Sequence, residues 1–140
     1  MSISSLCNRT VICVNTGTTI TDVAKEMEDK NIGSIVVLDN EKPCGMITDR
    51  DIIIRVINKG KDPKQTFVDD VMSELVLCLE EDMGLYQALE MLKGKSLRRY
   101  PVIDKNGDLK GIITLDDIIF LLGKELYDVA SIIQSEGANI

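Results

Sequence analysis

The sequence predicts an α/β fold made of one unit used twice, each unit running strand, helix, strand, strand, helix, with the two copies packed through their sheets. Three observations carry that prediction. Val11-Ile12-Cys13-Val14 returns about 65 residues on as Val76-Leu77-Cys78-Leu79. Gly45-Met46-Ile47-Thr48-Asp49-Arg50-Asp51-Ile52-Ile53 returns as Gly111-Ile112-Ile113-Thr114-Leu115-Asp116-Asp117-Ile118-Ile119. Between these anchors the apolar positions match as well, Ile20, Val23, Ala24, Met27 and Ile32 answering to Leu85, Ala88, Leu89, Leu92 and Leu97. Self-similarity at a fixed period marks one structural unit, here residues 6–64 and 65–136, and a unit of about 60 residues buries too little surface to stand alone. Two such units facing one another create a quasi-symmetric cleft, which is where function is expected.

In the first unit Thr10 to Val14 is β-branched and apolar, a short strand. A helix follows from Thr19, which serves as N-cap with Asp22 three residues on. Ile20, Val23, Ala24 and Met27 share one helical face, while Asp22, Lys25, Glu26 and Asp29 face solvent. Asn31-Ile32-Gly33 ends it. Ser34 to Leu38 is a continuous apolar strand, residues 39–43 turn the chain, and Cys44 to Ile47 is the next strand. Thr48 opens a second helix running to about Asn58. Asn58 to Asp70 is polar, with a Gly and a Pro, and connects the units.

The second unit repeats the order. Strands are predicted at Val76–Leu79, Arg99–Ile103 and Leu109–Ile113, with a helix from Gly84 to about Lys93. The turn at 104–108 carries an Asn-Gly pair suited to a tight hairpin. A last helix starts at Thr114 and continues through Leu121, Leu122, Leu126, Val129, Ile132 and Ile133, interrupted by Gly123. Its tail has more apolar surface than a solvated end needs, which suggests packing on a second chain.

Composition narrows the function. Charged residues are 28% and hydrophobic residues 44% of the chain, the balance of a soluble globular protein, and no apolar run of about 18 residues spans a membrane. The start lacks the basic and apolar regions of a secretory signal, so the expected location is cytoplasmic. A net charge of −7 argues against nucleic acid as a partner, though a small anion in a local basic pocket stays open. The chain has 4 cysteines without CxxC spacing and no histidine, which argues against zinc. Cys13 and Cys78 stand at equivalent places in apolar runs and read as small core residues in a reducing compartment.

The repeated Gly-x-Ile-Thr-x-x-Asp motif is the sharpest chemical signal. Thr-x-x-Asp after a strand is first of all a helix start, the Thr capping and the acid favoured by the helix dipole. Two copies in one register offer more. A hydroxyl and free backbone N–H groups at a helix start can hold a phosphate oxygen. A carboxylate one turn in can accept both hydroxyls of a ribose, and apolar strand edges suit an adenine ring. Together they point to a nucleoside phosphate.

With these motifs, the Tyr100-Pro101-Val102-Ile103-Asp104 stretch and Val71-Met72 before the second unit's first strand, the chain resembles a tandem pair of cystathionine-β-synthase (CBS) domains, a stand-alone Bateman module, from about Leu6 to Leu126. The resemblance implies two adenosine-ligand sites between the repeats. Asp51 and Asp117 would hold ribose, and Thr48 and Thr114 would bind hydroxyl or phosphate oxygens. Residues around Cys13, Ile35, Cys78 and Tyr100 would line the base pocket. It also implies a homodimer formed through the helices. The halves differ: Asp116 replaces Arg50, Arg98 and Arg99 stand where the first unit has Gly33 and Ser34, and Pro101 stands where it has Val36. One site should therefore bind phosphate better than the other, and either half remains open as that site. Arg98 and Arg99 also read as a solvated strand end, Arg50 as a partner for Asp49 or Asp51, and Pro101 as an edge-strand start.

The expected function is a non-catalytic sensor that binds AMP, ADP or ATP, with S-adenosylmethionine and NAD ranked lower, and signals to an effector protein. The alternative is a structural or interaction module with empty sites. An enzyme is disfavoured, for the chain has no His, no nucleophile elbow, no P-loop and no metal cluster.

Overall fold

The computed structural model describes residues 1–74 and 77–138. Two sheets organise it. The first contains β1 (Cys13–Asn15), β2 (Ser34–Asp39), β3 (Lys42–Thr48) and β4 (Ser73–Glu74) in that spatial order. The second contains β5 (Leu79–Glu80), β6 (Arg99–Ile103) and β7 (Leu109–Thr114), also in order. In each, the first pair is parallel and the second antiparallel. The parallel pairs enclose the helices α2 (Ile20–Lys30) and α5 (Leu85–Leu92), the crossover that parallel strands require. The α/β fold of two pseudo-symmetric repeats is thus present.

Local chemistry explains most boundaries. Thr19 Oγ1 accepts the N–H of Asp22 at 3.3 Å and starts α2, and Asn31 ends it in the left-handed region at φ 53°. Ile20, Val23 and Met27 are its buried face. Asn40 and Glu41 both have positive φ (50° and 67°), a two-residue turn of the twist-matching kind. Pro43 therefore lies within β3 and not in the turn. The second hairpin is looser than its Asn-Gly pair predicts: Asp104 Oδ1 accepts the N–H groups of Asn106 (2.9 Å) and Asp108 (3.0 Å), so the turn spans five residues.

Other elements differ from the sequence reading. The first strand begins at Cys13 and not at Thr10. The predicted strand from Val76 falls partly outside the described residues, and β5 covers Leu79–Glu80. The helix after Thr48 is α3 (Asp49–Ile52) running into a π-helical turn at Ile53–Ile57. In the second repeat the equivalent helix, α6 (Leu115–Ala138), continues through Gly123 without a break.

Two short helices arise from tertiary packing. These are α1 (Ile3–Leu6) and α4 (Val68–Val71), which precede the two repeats at equivalent positions. Each docks on the other repeat. Ile3 is fully buried among Leu79, Ala88, Tyr100, Val102 and Ile113, and its N–H donates to Met83 O at 2.8 Å. Val68 and Val71 are buried among Ile20, Val23, Ile35 and Ile47, and the Val68 N–H donates to Thr18 O at 2.8 Å. The strand-like residues that follow cross over too: Glu74 pairs with Gly45, and Asn8 bridges to Ile112. That crossing explains the glycines of the repeated motif. A Cβ on Gly45 would meet Met72 Sδ and lie 2.9 Å from Ser73 O; one on Gly111 would lie 2.7 Å from Cys7 Sγ and 2.9 Å from Asn8 O.

The outer faces of the helices after β3 and β7 stay apolar and open, with Ile53, Ile57, Ile119, Phe120, Leu126, Tyr127, Val129, Ile132 and Ile133 all exposed. Among the described residues no helix is long and apolar enough to cross a membrane.

Candidate functional site in the cleft between the repeats

In the first repeat, register places Ser34 opposite Thr48 at the end of the β2–β3 hairpin, where α3 begins. Thr48 Oγ1 accepts the N–H of Asp51 at 3.1 Å, and Asp51 Oδ2 accepts the N–H of Thr48 at 3.0 Å, a reciprocal capping box. The other carboxylate oxygen of Asp51 lies 3.9 Å from Arg55 Nη2. Arg55 is held in turn, donating to Val71 O at 2.8 Å and to Ser73 Oγ at 3.3 Å. Asp51 is only 17% exposed, so a buried acid is fixed by a cap on one side and a guanidinium on the other.

Across the cleft, β6 brings in the second repeat. Tyr100 is buried, and its hydroxyl donates to Leu97 O at 2.7 Å, pinning the residues that lead into the strand. Burial raises the Tyr100 phenol above its usual pKa, so it stays a donor. The Leu115 N–H donates to Arg98 O at 2.9 Å, and Arg98 Nη2 lies 2.5 Å from Asp116 Oδ1.

Between these walls lies a cavity of about 320 Å³, lined by Ser34, Met46, Thr48, Asp51, Ser73, Glu74, Leu97, Arg98 and Arg99. It is small for a ligand pocket. Its polar groups converge from both halves: Ser34, Thr48 and Asp51 from the first, Ser73 and Glu74 from the connection between the repeats, and two guanidinium groups from the second, with Met46 and Leu97 as apolar surface.

Of the sequence-derived candidates, the cavity brings together Thr48, Asp51, Arg98 and Arg99. The rest lie elsewhere. Arg50 is exposed, with its N–H on Asp49 Oδ1 at 2.8 Å. Thr114 caps α6, accepting the Asp117 N–H at 3.0 Å. Asp117 borders a separate hollow of about 220 Å³ with Ser5, Leu6 and Leu121. Cys13, read from the sequence as a small core residue, is exposed, because β1 is an edge strand, and it lines a groove with Arg9, Leu38 and Lys110. Ile35 belongs to the first core and Tyr100 to the second, while Pro101 is buried on β6 opposite Ile112. Cys78 is half-buried beside β5, and burial pushes its thiol pKa up.

Six lining or supporting residues escaped the sequence reading: Ser34, Met46, Ser73, Glu74 and Leu97 line the cavity, and Arg55 supports it. Arg55 stands four residues after Asp51, a spacing that places the pair on one helical face. Ser73 and Glu74 reach the cleft only because the inter-repeat connection folds back on β3. Among the described residues no group of three His, Cys, Asp or Glu side chains could hold a metal ion.

Comparison with known proteins agrees with this architecture. The family model described as "CBS domain" matches residues 3–58 and again 68–124. An uncharacterized protein of Methanopyrus kandleri is 37% identical over 133 residues, which cover 94% of this chain and 66% of that protein. Hypoxic response protein 1 of Mycobacterium tuberculosis is 30% identical over 112 residues, 79% of this chain and 78% of that one. A crystal structure of Hypoxic Response Protein I, described with two coordinated zinc ions, superposes with a TM-score of 0.74 at 28% identity, covering 85% of this chain and 97% of that one. The CBS domain pair of protein MJ0100, solved with 5'-methylthioadenosine and S-adenosyl-L-methionine, superposes with a TM-score of 0.72 over 89% of this chain and 98% of that one. At 22% identity this last likeness concerns the fold alone.

Proposed function

The chain belongs to the CBS-domain family, and from that premise we propose that it is a non-catalytic regulatory module that takes an adenine nucleotide in the cleft between its repeats and relays occupancy to an effector protein. The supporting observation is the meeting of Thr48 and Asp51 with Arg98 and Arg99 around one cavity. Asp51 is the ribose acceptor in this reading, Thr48 binds a hydroxyl or phosphate oxygen, and the arginines take the phosphate. AMP, ADP and ATP fit these guanidinium groups better than S-adenosylmethionine, whose sulfonium they repel, and NAD ranks below them. That a CBS pair of the same fold was solved with adenosine ligands lends further support.

Occupancy can only be signalled if the ligand prefers one arrangement of the repeats over another. A ligand touching both halves meets that condition. The open apolar faces of the helices after β3 and β7 suit a homodimer paired through those helices, and the free cysteines suit a reducing cytoplasm.

A second reading is a protein-interaction module with an empty cleft. Its specific support is that Asp51 and Arg98 already have internal partners, Arg55 and Asp116. A thermal-shift panel of AMP, ADP, ATP, NAD and S-adenosylmethionine separates the two. A ligand at a hundred times its Kd contributes about 2.7 kcal/mol, a rise of roughly 5 to 10 °C for a chain of this size. Silence across the whole panel would leave the interaction module standing.

A further inference from the structure

Arg98 carries an anion before any ligand arrives. Its guanidinium is bonded to Asp116 at 2.5 Å while its carbonyl accepts the Leu115 N–H, so the residue is tied at two points to the start of α6. The first repeat has the same backbone tie, Asp49 N–H to Gly33 O at 2.9 Å, but no such pair. Gly33 stands where Arg98 does, and Arg50 where Asp116 does. Arg98 and Arg99 share the cavity lining with two carboxylates, Asp51 and Glu74, and Asp116, outside the lining, pairs with Arg98.

We propose that Asp116 is a built-in competitor for phosphate at Arg98, and that it biases the cleft towards ligands with a single phosphate group. This rests on the adenine-nucleotide reading and narrows it to a nucleoside monophosphate. A first phosphate exchanges one anion for another on Arg98 and adds Arg99, so it is accommodated. Each further phosphate brings negative charge towards Glu74, Asp51 and the displaced Asp116, while Arg55, the cation beside Asp51, lies outside the lining and is committed to Asp51, Val71 O and Ser73 Oγ. The cavity, at about 320 Å³, leaves little room for a longer chain either. Both partners of the pair are about two-thirds exposed, at 69% and 66%, so the displaced carboxylate can turn into water and the penalty is a matter of a few-fold.

The test is titration calorimetry at fixed ionic strength with adenosine, AMP and ATP. The proteins are the wild type, Asp116→Asn, Arg98→Gln and the double variant. Wild type should bind AMP more tightly than ATP. Asp116→Asn should tighten AMP about three-fold and ATP by more, and leave adenosine unchanged. In the Arg98→Gln background the same change should leave AMP affinity where it was. Asp116→Ser repeats the comparison should the Asn variant fold poorly. Equal tightening of adenosine and AMP, or an equal gain without Arg98, overturns the competitor role while leaving the cleft as an adenosine site. ATP binding as tightly as AMP to wild type overturns it as well. If neither adenosine nor AMP binds any variant, the adenine-nucleotide reading itself falls and takes this inference with it.

Discussion

At Thr48 the hydroxyl accepts the N–H of Asp51 at 3.1 Å, and at Thr114 it accepts the N–H of Asp117 at 3.0 Å. The two caps are the same, but what surrounds the carboxylates is not. Asp51 is mostly buried, returns a bond to the Thr48 N–H and faces Arg55. Asp117 is exposed, and four residues on it meets Leu121 and not an arginine. Asp51 borders the cavity that holds Arg98 and Arg99, whereas Asp117 borders a hollow closed by α1. One short motif thus builds one helix start twice. What differs is what the other repeat places opposite that start.

The comparison can be broken most directly at the two acids. Asp51→Ala should weaken adenine-nucleotide binding by about 3 kcal/mol, more than a hundred-fold, because two hydroxyl bonds to a charged acceptor are lost. Asp117→Ala should change affinity less than two-fold. Calorimetry on both variants checks this, and equal losses would mean that both halves bind.

The motif glycines should make the halves behave alike. Gly45→Ala and Gly111→Ala each push a methyl group against a crossing backbone carbonyl at 2.9 Å. Each should cost about 2 kcal/mol, a fall in Tm of roughly 4 to 7 °C. A drop confined to one variant in thermal melts would show that only one crossing is tightly packed.

The caps sharpen the contrast at smaller scale. Thr48→Ala and Thr114→Ala should each cost about 1 kcal/mol in urea unfolding, with Thr48 the larger because its partner's reciprocal bond is disturbed as well. Smaller still is the tie between the two hairpins, where Lys42 Nζ bonds Asn106 O and lies 3.2 Å from Asp108. Lys42→Ala should cost about 0.5 kcal/mol at low salt and nothing near 1 M, since the pair is exposed.

The repeat, the α/β class and both Thr caps were legible because they are written in spacing that a few neighbouring residues enforce. The cavity was legible in part: Thr48 and Asp51 from the motif, Arg98 and Arg99 from the place where the repeats differ. Ile35 and Tyr100 show where such reading stops. In a run such as Ile35-Val36-Val37 every residue is apolar and every one is buried, so alternation gives no sign of which side faces the cleft. Ser73 and Glu74 were hidden for another reason, for their neighbours Met46 and Gly45 are nearly 30 residues away. The helix α1 has four residues and no period to read; its shape follows from Ile3 finding the other repeat's core.

The exchanged leading segments also fix an order of assembly during synthesis. The first core is complete once Val68 and Val71 have left the ribosome. The second needs both Ile3 and Ile113, which is made 110 residues later. At about 5–20 residues per second, Ile3 waits roughly 5 to 20 seconds for its place. Through that interval the apolar segment around Ile3 is without its core, a natural handle for a chaperone. The half that supplies Arg98 and Arg99 is therefore the later of the two to mature, closed by a residue made well before its partners.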